Sequence, residues 1–168
     1  HALSDAGVGI DGKKILVLGA GGAARAISFQ FANDGAELII ANRTENKAIE
    51  LAEDVRSIGE AKGTGISNLK ELIAESDILI NTTTVGMHPY TNDTIVTSNQ
   101  MHPKLAVFDI VYNPLETRLL KEAKSAGATP VNGLMMFVYQ GAEAFKIWTG
   151  VYPPIETMKN TVLGELKG

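Results

Sequence analysis

Cysteine is absent from the 168-residue chain. That excludes disulfide bonds, thiolate nucleophiles and cysteine-based zinc sites together, and it fits the cytoplasmic location expected here. An excess of basic charge is lacking too: 15 Lys and Arg stand against 19 Asp and Glu, for a formal charge of −4. Nucleic-acid binders neutralise phosphates with a clustered basic face, so no nucleic-acid partner is expected. No apolar run approaches the roughly 20 residues that span a bilayer, and no basic-then-apolar leader opens the chain, so no membrane partner is expected. Metal-ligand spacing is also missing. His88 and His102 each precede a proline within the polar loop 87–104, which reads as loop packing rather than as a metal or proton-transfer site. The chain opens at His1 rather than Met, which points to processing or a fragment.

What is present is concentrated around one glycine turn. Ile15 to Leu18 is a short apolar run, as in a parallel strand covered on both faces. The stretch Gly19-Ala20-Gly21-Gly22-Ala23-Ala24 follows, and a helix is expected over 22–33, packing through Ala23, Ala26, Ile27, Phe29 and Phe31 until Asp34-Gly35 stops it. Gly19-x-Gly21-x-x-Ala24 fits the dinucleotide fingerprint in its Gly/Gly/Ala form. The first glycine permits the tight turn, the second lets backbone approach a pyrophosphate, and the third small residue lets helix and strand pack closely. The helix N-terminus then offers free N–H groups to phosphate. The pattern alone also fits a strand-to-helix turn without a ligand.

Residues 37–41 read as the next strand of a right-handed βαβ unit. NAD sites usually place an acidic residue at its end to hold the ribose 2′-hydroxyl. Here Asn42-Arg43-Thr44 occupies that position, with Lys47 one turn on. A guanidinium grips a 2′-phosphate through paired, charge-assisted hydrogen bonds, so the pattern favours NADP(H) over NAD. Thr44 adds a hydroxyl and is placed to cap the next helix, 45–57. Further elements are expected as a short strand near 63–66, a helix over 68–74 capped by Ser67, and strands at 77–81, 106–111 and 128–131. Helices are expected over 117–126, 134–148 and from Pro153-Pro154 to 166. The Thr82-Thr83-Thr84 run falls at a strand end, where a cofactor's ribose or nicotinamide would lie or where threonines simply form a turn. The helix 134–148 is apolar most of the way round, apart from Gln140 and Glu143, so burial on more than one side is expected. The sum is an α/β, Rossmann-type, doubly wound parallel sheet of about six strands with helices on both faces, in one domain spanning 1–168.

Several of these stretches together resemble the NADP-binding domain of shikimate dehydrogenase: the glycine loop, Asn42-Arg43-Thr44 with Lys47, and Asn81-x-Thr83-x-x-Gly86-Met87. Asp109-x-x-Tyr112-x-Pro114-x-x-Thr117-x-Leu119-Leu120, Asn132-Gly133-Leu134-x-Met136-x-Val138-x-Gln140-Gly141-Ala142 and Ala144-Phe145-x-x-Trp148-x-Gly150 follow in the family's order. The resemblance covers nearly the whole chain. It implies reversible reduction of 3-dehydroshikimate to shikimate with NADPH, in aromatic amino-acid biosynthesis. It places Thr83, Ile110, Gly133 and Met136 by the nicotinamide half, and Tyr112 and Gln140 at bound shikimate. Met135 stands where the family often has glycine, and Ile110 where methionine is common. The family's catalytic lysine and aspartate belong to an N-terminal substrate domain. No residue here matches either, so no catalytic residue is assigned. Residues 1–13 then read as a lead-in from that domain, and 133–168 as helices facing an inter-domain cleft. The expectation is a chain that binds NADP(H) but does not turn over shikimate alone, with the apolar helix covered by the missing domain or by a homodimer. The alternatives are a quinate/shikimate dehydrogenase module and a stand-alone NADP-binding regulatory protein.

Overall fold

The computed structural model describes residues 2–166; His1, Lys167 and Gly168, at the outer ends of the lead-in and of the last helical segment, lie outside the described residues. Six strands form one parallel sheet: β1 (Lys14–Leu18), β2 (Glu37–Ala41), β3 (Ala61–Thr64), β4 (Ile78–Asn81), β5 (Ala106–Asp109) and β6 (Thr129–Val131), in the order β3-β2-β1-β4-β5-β6. The helices are α1 (Ala2–Asp5), α2 (Gly22–Asn33), α3 (Glu45–Val55), α4 (Leu69–Ala74), α5 (Arg118–Ser125), α6 (Leu134–Thr149) and α7 (Ile155–Glu165).

The period-2 geometry of strands divides the core in two. Ile15, Val17, Leu38, Ile40, Ile78 and Ile80 face one side, packed with α2 and α3. Leu16, Leu18, Ile39, Leu79 and Val107 face the other, packed with α4 and α5. Each fully buried Leu or Ile is worth roughly 1.5–3 kcal/mol relative to exposure. This two-sided burial explains why β1, β2 and β4 read as continuous apolar runs, and it bears out the doubly wound expectation. The order reverses between β1 and β4, both starting from the centre of the sheet, so the switch point lies between their carboxyl ends.

Several local expectations differ from the structure. The buried stripe of α2 is Ala24, Ile27, Ser28 and Ala32. Ala26 is exposed, because a helix on a flat sheet buries only the i, i+3, i+4, i+8 row. β3 lies earlier than 63–66, because its place is set by backbone pairing, Leu38 opposite Ala61 through Ala41 opposite Thr64. The N-cap of α4 is Asn68, not Ser67. β5 ends at Asp109 rather than 111, where the Asp109 carboxylate accepts the Val111 N–H at 3.1 Å and turns the chain. The loop 87–104 contains one 3-10 turn, Ser98–Gln100. Only Leu134, Val138 and Ala142 of α6 are buried, while Ile147 and Trp148 stay 79% and 82% exposed. This chain covers the helix along one stripe; the second covering surface expected for it is not supplied by the described residues.

Candidate cofactor site

The β1–β2 pairing builds the site. Leu18 lies opposite Ala41, and the Gly19 N–H donates to Ala41 O at 2.8 Å. The glycine turn and the Asn42-Arg43-Thr44 turn therefore stand side by side at the carboxyl edge. Gly19 has φ +113°, a left-handed conformation, and an added Cβ would lie 2.5 Å from Thr82 Oγ1. Only glycine fits there without displacing the β4 exit. Gly21 is the N-cap of α2 and supplies no side-chain cap, so the first-turn N–H groups of α2 are left for a ligand. Ala24 is fully buried, as close helix–strand packing requires.

Ala20, Gly21, Asn42, Arg43, Thr44 and Lys47 line an open cavity of about 210 Å³. The Asn42 amide donates to Thr44 O at 2.9 Å and holds the Arg43 turn. Neither Arg43 nor Lys47 makes an ion pair or side-chain hydrogen bond with another described residue, whereas Arg25 nearby is paired with Asp54 at 2.7 Å. Two uncompensated cations beside a helix N-terminus, with no carboxylate among the lining residues, make an anion site. Thr44 is the N-cap residue of α3, but its side chain makes no capping bond, contrary to expectation. Its hydroxyl is left for the cavity.

A second cavity, about 350 Å³, lies across Gly19 and Arg43 from Thr83, Val85 and Ile95. Thr83 lines it, yet its hydroxyl donates to Asn81 Oδ1 at 2.7 Å and accepts from the Val85 N–H at 3.2 Å. Thr83 therefore forms the turn and also walls the cavity. Thr82 Oγ1 donates to Leu18 O at 2.7 Å and ties the exits of β1 and β4 together.

On the far side of the switch point stands a group of residues to which no role is assigned from sequence. Asp109 is fully buried. Its Oδ1 accepts from Asn81 Nδ2 at 3.0 Å and from the Val111 N–H, and its Oδ2 accepts from Thr117 Oγ1 at 2.6 Å. Burial pushes the Asp109 carboxyl above its ordinary range, although these three bonds oppose the shift. The visible signal is a carboxylate closing the apolar run Ala106-Val107-Phe108. Beyond it, Tyr112 stacks on Phe137 of α6, and the Ile110 carbonyl sits where a Cβ on Gly133 would be. Ile110, Gly133, Tyr112 and the start of α6 are therefore brought together.

Met136, packed against the same core face as Ile110, and Gln140 border a third cavity. This mostly apolar cavity of about 320 Å³ is also lined by Leu3, Ile27, Phe108 and Tyr139, and Tyr139 Oη donates to Asp5 Oδ2 at 2.9 Å. Tyr112 does not line this cavity. His102 Nε2 lies 3.2 Å and 3.1 Å from the carbonyls of Ile73 and Ser76, and must carry the proton there, since both partners only accept. His102 thus packs its loop against the end of α4. Among the described residues no group of three or more His, Asp or Glu is arranged to hold a metal ion, and no helix is long and apolar enough to cross a membrane.

Comparison with known proteins accords with this layout. Residues 2–119 match the model for the shikimate / quinate 5-dehydrogenase family, and residues 133–163 match the shikimate 5′-dehydrogenase C-terminal domain. A shikimate dehydrogenase (NADP(+)) of Methanosarcina acetivorans is 62% identical over 170 residues, covering 99% of this chain and 61% of the relative. A crystal structure of shikimate dehydrogenase in complex with NADP+ superposes with TM-score 0.89 at 41% identity, over 98% of this chain and 58% of that one. Quinate dehydrogenase from Corynebacterium glutamicum, in complex with NAD, superposes with TM-score 0.88 at 26% identity, over 97% and 59%. The chain spans about three fifths of the length of the relatives it matches. On the fold, the order of motifs and these matches, the chain belongs to the shikimate / quinate 5-dehydrogenase family.

Proposed function

We propose that this chain is the NADP(H)-binding portion of a shikimate dehydrogenase, serving the reduction of 3-dehydroshikimate to shikimate. The observation that carries the choice of cofactor is the pair of cations Arg43 and Lys47, without partners among the described residues, beside the uncapped start of α2. NAD needs an acceptor for its 2′-hydroxyl, and none of the cavity residues is acidic. The 2′-phosphate fits Arg43, Thr44 and Lys47; the pyrophosphate fits the backbone of Gly21 and Gly22.

Bound NADPH supplies a hydride to a carbonyl carbon, while a proton must reach the carbonyl oxygen. This chain's residues bind and orient. In this reading, which follows the family resemblance, Thr83, Ile110, Gly133 and Met136 lie toward the nicotinamide end, with Thr83 and Met136 reaching it from two different cavities, and Tyr112 and Gln140 offer polar groups to substrate. The family's proton-transfer lysine and aspartate have no match among the described residues, so the reading assigns that step to a substrate domain docked against the C-terminal helices.

The test is direct. The chain should quench or shift NADPH emission on binding, bind NADH far more weakly, and give no NADP+ reduction with shikimate at high protein concentration. Clear turnover of shikimate by this chain alone would overturn the assignment of the proton step. Equal affinity for NADPH and NADH would overturn the cofactor.

A further inference from the structure

We propose that Asp109 is a positioning residue for the nicotinamide side of the site, holding the turn 110–116 at both of its ends on one carboxylate. The inference rests on the NADP(H) reading above.

Register makes Asp109 the cross-strand neighbour of Asn81, so the exits of β4 and β5 end on a shared polar pair. Asn81 passes the constraint on. Its Nδ2 donates to Asp109, while its Oδ1 accepts both the backbone N–H and the hydroxyl of Thr83. On the other side, Val111 begins the turn and Thr117 ends it, and both donate to the same carboxylate. Thr117 is also the N-cap of α5, accepting from the Leu120 N–H at 3.4 Å. One side chain thus ties together two strand exits, a turn and a helix start.

What the turn carries explains why such a tie is useful. Ile110 and Tyr112 lie on it, against Gly133 and Phe137 of the next segment. Its middle is held by the His88 N–H, which donates to Asn113 O at 3.1 Å. Packing alone would not call for this arrangement: taking a carboxylate out of water is costly, and apolar replacements of buried charges are often no less stable. A carboxylate with three directed donors supplies what an apolar side chain lacks, namely a defined direction for each segment it holds.

The test separates the two ends of the cofactor. Calorimetric titrations of this chain use NADPH, which reaches both ends, and adenosine 2′,5′-bisphosphate, which engages only the Arg43 end. Asp109→Asn reverses the bond to Thr117, and Thr117→Val deletes it; Thr117→Ser restores the hydroxyl. The inference expects Asp109→Asn and Thr117→Val each to weaken NADPH by about tenfold, the scale of one hydrogen bond. Bisphosphate affinity should hold within about twofold, and Thr117→Ser should recover NADPH binding. If Asp109→Asn does not fold, the Val and Ser variants at 117 decide. Unchanged NADPH affinity, or equal losses for both ligands, would overturn the positioning role. A wild-type chain that binds the bisphosphate but gains nothing from the nicotinamide half overturns this inference and spares the cofactor reading. Failure to bind either ligand overturns both.

Discussion

The rings of Tyr112 and Phe137 stack with centroids 4.1 Å apart and planes 19° from parallel. This contact joins the turn after β5 to the first turn of α6, two segments that meet only through the fold. Phe137 remains 38% exposed, so its value lies in the ring contact rather than in deep burial. A stacked aromatic pair adds about 0.5–1.5 kcal/mol beyond area burial. Phe137→Leu should therefore lower the melting temperature by roughly 2–4 °C per kcal/mol lost. A double-mutant cycle with Tyr112→Leu, read by thermal unfolding, should show a coupling energy of that size. Additive losses would mean that the rings touch without interacting.

The glycine turn separates folding from binding. A Cβ on Gly21 meets nothing within 4 Å, whereas one on Gly19 meets Thr82 Oγ1 at 2.5 Å. Gly21→Ala should keep the wild-type melting temperature and lose NADPH affinity, because the new methyl enters the space assigned to pyrophosphate. Gly19→Ala should lower stability by about 1–3 kcal/mol, the usual cost of overpacking and backbone strain. Equal stability of the two variants, measured by denaturant unfolding, would contradict this division.

Gly133 makes a similar demand at the other end of the site. Its added Cβ would lie 2.3 Å from Ile110 O and 2.6 Å from the Ile110 carbonyl carbon, both backbone atoms that cannot rotate away. Gly133→Ala should cost about 1–3 kcal/mol of stability and push the start of α6 off β5. Circular dichroism melts measure the first effect, and amide chemical-shift changes at 110–112 and 134–137 the second.

Stability should carry a pH signature of Asp109. Burial raises its folded carboxyl pKa above the ordinary 3.8, so the folded state holds this proton to higher pH than the unfolded state does. Its contribution is therefore fully present below 3.8 and is lost as pH rises through the raised folded value. Asp109→Asn removes that dependence. The stability of the wild type relative to Asp109→Asn, from urea unfolding, should fall as pH is raised from 4 toward neutrality. A rise would show that the three donors outweigh burial.

The parts of the fold visible in the sequence were those with strong side-chain patterns. β1, β2 and β4 are apolar runs because both sheet faces are covered, and the glycine turn announces the strand-to-helix step. β3 begins two residues before its expected span because Ala-Lys-Gly-Thr has no such pattern and takes its register from β2. The 3-10 turn did leave a signal: Thr97 and Gln100 have the spacing at which a side chain returns to a cap, and the Thr97 N–H donates to Gln100 Oε1 at 3.0 Å. In the site, Arg43 and Lys47 were legible because a missing carboxylate is visible in the sequence. The Asp109 cluster was not, since its partners lie 28, 2 and 8 residues away and converge only when β4 and β5 pair. The exposure of Ile147 and Trp148 was hidden for the opposite reason: hydrophobicity says that a surface tends to be covered, not that this chain covers it.

The central claim is that Arg43 and Lys47, left without partners among the described residues, select the 2′-phosphate. The measurement is the ratio of NADPH to NADH affinity for the wild type and for Arg43→Ala, at one fixed ionic strength. A charge-assisted, paired contact predicts that the substitution weakens NADPH on the order of 10- to 100-fold and leaves NADH nearly unchanged, collapsing the ratio. Equal losses for the two cofactors, or a ratio that survives the substitution, would contradict the account.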